Sequence, residues 1–235
     1  MTFVAIPSIK LSETSKQAWK AAGGFFPRRD RTVARMVELG ENADVEFILN
    51  LGWSQFNPET RLPVWNRGED IQALLWPGMT RDLFDDLMPP QPEGYPADIW
   101  IKTPGRGGRG KYHKMVYHQL SLPNQWDWQT HVEGQEYRVI TVGQAIVQQF
   151  ERGGDNEDRS YSWTPRDQVP MPVKAFARQA ASRVFGNNVI AWDLIQEGEY
   201  GRPYLFEGNT CPGMSTHTAA RIVAAIQEQQ EAHNA

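Results

Sequence analysis

The sequence predicts an α+β protein. Two apolar runs, Glu136 to Val142 and Ala145 to Phe150, flank Gly143-Gln144, a two-residue turn of hairpin type, so neighbouring strands run antiparallel. Segments with helix formers and end signals, such as Ser12 to Gly24 and Val173 to Val184, lie between the strand runs. Strands paired through hairpins with helices packed beside them make the α+β class.

The elements follow in order. Thr2 to Ile6 is a short β-rich run. Ser12 is a capping residue for a helix that Gly23-Gly24 ends. Asp30 to Leu39 is a second helix, closed by Gly40. Val45 to Leu51 is apolar and short enough for a buried strand. A proline-bearing stretch follows, and then Asp70 to Leu75 and Thr80 to Leu87 are helical. These parts make a small α/β unit. Met88-Pro-Pro-Gln-Pro-Glu-Gly-Tyr-Pro cannot continue a helix and reads as a linker, so a boundary is expected near residue 90. Beyond it, Asp98 to Lys102 is a strand, a glycine loop follows, and Tyr112 to Leu120 contains a second strand. Residues 153–168 are polar and read as a loop. Val189 to Gln196 and Tyr204 to Gly208 are strands, and Thr216 to Gln230 is a helix.

Composition narrows the function classes. The chain has 235 residues, a formal net charge of −4, 40% hydrophobic and 22% charged residues, a globular balance that excludes a wholly disordered or collagen-like chain. No run approaches the ~20 apolar residues of a membrane helix, and no secretory signal is visible, so a cytoplasmic location without a membrane partner is expected. The single cysteine, Cys211, excludes an internal disulfide framework and a multi-cysteine zinc site. Mild acidity argues against nucleic acid as a partner.

Two motifs carry chemistry. Lys102-Thr-Pro-Gly-Arg-Gly-Gly-Arg-Gly-Lys111 contains four glycines, and five cations stand from Lys102 to Lys114 with no acidic residue among them. Backbone amides freed by glycine form an anion-binding concavity, which fits a polyphosphate. A P-loop has this spacing, but Tyr112 stands where Ser or Thr would hold magnesium. An Arg-Gly-Gly RNA-binding element and a solvated, charged hairpin are the other readings of the loop. Further on, Asp193 interrupts the apolar run Val189 to Ile195, a costly place for a carboxylate unless it is paired or bound to a cation. In Glu207-Gly-Asn209 strand alternation puts both side chains on one face. Two carboxylates and an amide oxygen form a hard-oxygen set of the kind magnesium uses with phosphates. A buried Asp paired with Arg or Lys is the alternative.

In this order the motifs resemble the ATP-grasp superfamily, in particular carboxylate–amine ligases similar to ribosomal-protein glutamate ligases and D-alanine–D-alanine ligase, over roughly the 170 residues from about residue 65 to the end. The resemblance implies an α+β ATP-grasp fold: residues 1–90 as a small N-terminal α/β domain and linker, and 91–235 as two sub-lobes with antiparallel sheets holding ATP between them. The first (91–128) carries the glycine loop, and the second (129–235) the hinge and metal site. It implies that Lys102 contacts phosphate and that Gly107, Gly108 and Lys111 belong to the phosphate cover. Gln129-Thr-His-Val132-Glu-Gly-Gln-Glu136 looks like the hinge, where Gln129 and backbone near Thr130 and Val132 meet ATP and Glu136 holds ribose. Asp193, Glu207 and Asn209 match the metal ligands, for magnesium with manganese as an alternative. Arg152, Arg138 and Arg159 are the candidate catalytic cations. Two departures stand out: Gly78-Met-Thr-Arg81 occupies the place of the family's Asp-Lys, and Ala191 stands where many peptide ligases carry arginine.

The implied activity is an ATP- and magnesium-dependent ligase that joins a small-molecule carboxylate to an amine acceptor through an acyl phosphate, the acceptor being an amino acid, a peptide or a protein tail. The rival readings are a non-catalytic ATP-grasp-like nucleotide-binding or structural protein, and an RNA-binding domain that uses the Arg-Gly-Gly loop.

Overall fold

The computed structural model describes residues 2–7, 11–26, 44–75, 77–91, 93, 97–102, 113–117, 127–153, 162–210 and 212–234. The helix expected over Asp30–Leu39 and the glycine loop after Lys102 lie outside the described residues.

The first unit is a parallel sheet in the order β2-β1-β3-β4, made of β1 (Phe3–Pro7), β2 (Gly24–Phe25), β3 (Phe47–Leu51) and β4 (Val64–Trp65). Its strands are apolar on both faces because both faces are covered. Phe3, Ala5, Phe47 and Leu49 pack with Trp19 of helix α1 (Glu13–Ala21), while Val4, Ile6 and Ile48 pack with Phe56 and Val64. Ser12 caps α1, its hydroxyl accepting from the Ser15 N–H at 3.1 Å.

Asn66, just past β4, takes the left-handed conformation (φ 59°) and is wholly buried. Its side chain accepts from the Val189 N–H (2.7 Å) and donates to the carbonyls of Val189 (3.0 Å) and Asn50 (3.1 Å). Asn50 donates back to the Asn66 carbonyl at 2.6 Å. The cost of the strained φ is offset by these bonds. They tie the end of the parallel sheet to the start of a strand 123 residues later.

Helices α2 (Gly68–Leu75) and α3 (Pro77–Phe84), with a 3₁₀ turn over Asp85–Leu87, lead to a three-stranded antiparallel sheet in the order β6-β5-β7. Its strands are β5 (Ala97–Lys102), β6 (His113–Tyr117) and β7 (Asp127–Thr130). The largest sheet is antiparallel, in the order β10-β9-β8-β11-β12: β8 (Gly134–Val142), β9 (Ala145–Gly153), β10 (Ser162–Pro165), β11 (Val189–Glu197) and β12 (Pro203–Asn209). Gly143, at φ 54°, makes the β8–β9 turn that the sequence predicts.

This five-stranded sheet has two differently used faces. The back face, with Val139, Ile190, Trp192, Leu194 and Leu205, packs on helix α4 (Met171–Ala181) and on Leu74, Phe84, Leu87 and Met88. The Phe84 and Trp192 rings meet edge to face at 5.7 Å. Residues 68–88 thus pack on the large sheet, not within the parallel one. Part of the front face, with Ile140, Val142, Val189 and Ala191, packs on helix α5 (Thr216–Asn234) through Ile222 and Ile226, and on Phe3, Phe47 and Leu49.

Strands β4, β7 and β10 lie in stretches that the sequence reads as loop, linker or hinge. They are two to four residues long and exist by pairing with a longer neighbour. The polar loop expected over 153–168 is corrected in this way: Ser162–Pro165 pairs with Phe150–Gly153.

Candidate functional site

The front face of the large sheet changes character along its strands. On β11, Val189 and Ala191 are core, and the next residue on that face is Asp193. On β8 the same face runs from Val142 and Ile140 to Arg138 and Glu136. On β12, Glu207 is paired in register with Asp193, and Asn209 with Ala191. Gly208 separates them for a packing reason: a Cβ there would lie 2.9 Å from Leu74 and 3.0 Å from Trp192 of the back core.

The charges on this face are already organised. Arg138 donates from Nε and Nη2 to the two oxygens of Asp193, both at 2.6 Å, a bidentate pair with little solvent access. The ring of Trp163 lies over this guanidinium, 4.5 Å from its carbon to the ring centroid. Arg152 donates from Nη1 to Glu136. Gln135 steadies that corner by donating to the carbonyl of Arg152 at 2.7 Å and to that of Glu136 at 3.0 Å.

The hinge joins β7 to β8 through residues 131–133. Thr130 donates both its N–H (2.8 Å) and its hydroxyl (2.9 Å) to the Pro90 carbonyl. The Thr130 N–H and hydroxyl are thus engaged by the linker. Val132 is half-buried. Gly134 begins β8 against β11 so closely that a Cβ would lie 1.9 Å from the Gln196 carbonyl oxygen. Behind the hinge, Arg81 donates to Asp127 at 2.9 Å and 3.3 Å and to the Pro89 carbonyl at 2.9 Å. Arg81 is therefore a buried joint between α3 and β7.

Lys102 ends β5, its backbone in register with Asp127. Gly107, Gly108, Lys111 and Arg159 lie outside the described residues. The structure brings Asp193, Glu207, Asn209, Arg138, Glu136 and Arg152 onto one face, but as pairs: the expected metal ligand Asp193 is held by Arg138, and the expected ribose ligand Glu136 by Arg152. Among the described residues no group of three or more His, Cys, Asp or Glu side chains forms a metal site, so the expected set stands as two carboxylates and one amide oxygen. Sequence reasoning missed Trp163 and the Arg81–Asp127 pair. A tryptophan inside a polar stretch was the available signal for the first; nothing local signals the second.

Comparison with solved structures follows from this arrangement. A D-alanine–D-alanine ligase from Bacillus anthracis superposes with a TM-score of 0.62 over 100% of this chain and 99% of that one, at 11% identity. The ATP-grasp ligase PsnB, complexed with its minimal precursor, matches with a TM-score of 0.62 over 97% of this chain and 99% of that one, at 13% identity. A RimK domain ATP-grasp protein from Sphaerobacter thermophilus matches with a TM-score of 0.59 over 96% and 100%, at 14% identity. The fold is ATP-grasp. No protein-family model matches the chain, and no curated protein does. In this chain the three-stranded sheet, the hinge and the large sheet follow one another in sequence. No helix among the described residues is long and apolar enough to cross a membrane.

Proposed function

We propose that the chain binds ATP with magnesium and joins a carboxylate to an amine. The observation that carries this reading is the charged half of the front face, where two arginine–carboxylate pairs stand beside Glu207 and Asn209. Solved neighbours of the same fold include a D-alanine–D-alanine ligase complexed with ATP and PsnB complexed with magnesium and ADP.

The residues present fit the metal. Glu207 and Asn209 share a face with Asp193, and a hard cation that shares its charge with phosphates needs only one or two carboxylates from the protein. When bound, magnesium supplies charge neutralisation at the phosphates. Arg138 grips two oxygens of Asp193, fixing the carboxylate's orientation beside Glu207. Arg152 and Lys102 supply positive charge for the transferred phosphoryl group, and Glu136 accepts from ribose hydroxyls. The phosphate loop amides at Gly107 and Gly108, with Lys111, cover the phosphates.

The reaction balances in two steps. A substrate carboxylate oxygen bonds to the γ-phosphorus as the bond to ADP breaks, giving an acyl phosphate. The amine nitrogen then bonds to the acyl carbon, inorganic phosphate leaves, and the nitrogen loses a proton. Positioning and charge stabilisation do most of this work. A second reading, nucleotide binding without ligation, is favoured by Arg81, whose guanidinium is occupied by Asp127.

Two measurements separate these readings. ATP with magnesium at 100 times its dissociation constant adds about 2.7 kcal/mol of stability and raises Tm; no shift at millimolar ATP rejects both. Hydroxylamine trapping with a panel of acids yields an acyl hydroxamate for a ligase. Arg152→Ala then lowers trapping by ~100-fold while changing ATP affinity by only a few-fold, since the group acts mainly in the transition state. No hydroxamate from the intact protein leaves the binding reading.

A further inference from the structure

A cavity of about 300 Å³ opens at the outer edge of the parallel sheet, lined by Arg61, Leu62, Val64 and Arg67 together with Asp70 of α2 and the turn at Gly186-Asn187. It is not part of the charged face: the turn leads into β11 at Val189, four residues from Asp193, or ~13 Å along an extended strand. The Asp70 carboxylate is half-buried and makes no hydrogen bond or ion pair among the described residues. It lies so close to the turn that a Cβ on Gly186 would stand 2.3 Å from Oδ2. Burial raises its pKa above the ordinary value, Glu69 adds to the rise and Arg67 opposes it. A carboxylate left in that position gains from any cation that reaches it. Arg67 is anchored by donating from Nη1 to the Pro58 carbonyl at 3.2 Å, and Arg61 is exposed.

The backbone adds a donor and an acceptor. The Pro63 carbonyl accepts from the Ile48 N–H at 2.9 Å, so it faces β3. Val64 therefore presents its N–H and carbonyl to the opposite side, where no described strand pairs with β4. Asn66, two residues on, faces the same way and donates its N–H to the Asn187 carbonyl at 2.7 Å. The turn is held from within as well, Asn188 donating to the carbonyls of Gly186 (3.2 Å) and Val184 (3.3 Å). The walls are thus fixed before any ligand arrives.

An inorganic anion here would meet Asp70, and a metal cation would meet the two arginines. Only a molecule that carries both charges pairs every group. We propose that this cavity is a binding site for a small aliphatic α-amino acid in its zwitterionic form. Asp70 and the Val64 carbonyl accept from its ammonium, Arg61, Arg67 and the Val64 N–H donate to its carboxylate, and Leu62 and Pro63 flank its side chain. The site does not depend on the ATP reading.

The test uses calorimetry and thermal unfolding without nucleotide, with L-alanine, L-valine and L-leucine as probes. Each is compared with its α-hydroxy acid, which lacks the ammonium, and with its decarboxylated amine. At least one of the three amino acids is expected to raise Tm at ~10 mM, and its two analogues to bind at least ~10-fold more weakly. Asp70→Asn and Arg61→Ala are each expected to weaken binding ~10-fold while the Tm response to ATP with magnesium stays as in the wild-type protein. No binding of any of the three amino acids overturns the assignment, and so does equal affinity for an amino acid and either analogue. Binding that persists at full strength in both variants lies elsewhere on the protein and overturns it too. Arg61 is exposed, so Arg61→Ala decides where Asp70→Asn does not fold. Loss of the ATP response in the wild-type protein would reject the ATP reading alone, a separate outcome.

Discussion

Two halves of one sheet face, built on the same strands, are used in opposite ways. At the end of β11 near Val189, the front face holds Ile140, Val142, Val189 and Ala191 against α5 and the parallel sheet. One pleat further along, at Asp193, the same face holds the Arg138–Asp193 and Glu136–Arg152 pairs with Glu207, while Asn209, opposite Ala191, stands at the boundary between the halves. The apolar half is immobilised by packing from both sides and serves as a base from which the charged half projects. Charges this close to a core keep their geometry because the backbone under them cannot shift, and rigid support of this kind is what positions a reacting group. The contrast also explains the identity of residue 191: a long cation there would enter the apolar half, where Ala191 is wholly buried.

The largest expected effect comes from the apolar half. Ile140→Ala should destabilise the protein by about 3 kcal/mol in urea unfolding, since it opens a cavity under both α5 and the parallel sheet. The nucleotide affinity of the molecules that remain folded should stay unchanged. A change in affinity larger than the change in stability would show that the two halves are not separable.

Arg138→Ala should cost somewhat less, about 2–3 kcal/mol, because Asp193 is left as an uncompensated charge with little solvent access. The double variant Arg138→Met with Asp193→Leu should recover most of that stability while losing the response to ATP. Recovery of both would remove the pair from the site.

The smallest effect lies away from this face. Asp86 and Arg183 form an exposed pair, with Nη2 of Arg183 2.6 Å from a carboxylate oxygen. The hydrogen bond from Arg183 lowers the pKa of Asp86 below its ordinary value. A depressed carboxylate stabilises the fold above its unfolded pKa, and that contribution is lost as pH falls through the folded value. Asp86→Asn should therefore cost only about 0.5 kcal/mol at neutral pH, after solvent screening, and nothing at a pH below both values. A cost as large as that of Arg138→Ala would erase the distinction between a site pair and a surface pair.

Much of this was legible in the sequence because it is local. Gly143-Gln144 announced the β8–β9 hairpin, Ser12 announced α1, and a lone Asp193 in an apolar run announced a paired or metal-facing carboxylate. Glu207-Gly-Asn209 placed two side chains on one face from alternation alone. What escaped is non-local. Nothing near Asp193 says that its partner is Arg138, 55 residues away, or that Trp163 covers that arginine. Asn66 reads as a loop residue, yet it takes a left-handed conformation to reach Val189. Strands of two to four residues, such as β4 and β10, have too short a period to be seen before their partners are known.

The core that joins the parallel sheet to α5 has a consequence for synthesis on the ribosome. Phe3, Ala5, Phe47 and Leu49 find their cover partly in Ile222 and Ile226, which are translated some 170 residues after Leu49. At ~5–20 residues per second, the parallel sheet waits on the order of ten seconds or more with one apolar face incompletely covered. Strands left open in that interval offer an aggregation surface, and contacts so distant in sequence slow the final docking. A nascent chain stalled before residue 216 should therefore engage chaperones through β1 and β3, and release them only once α5 has emerged.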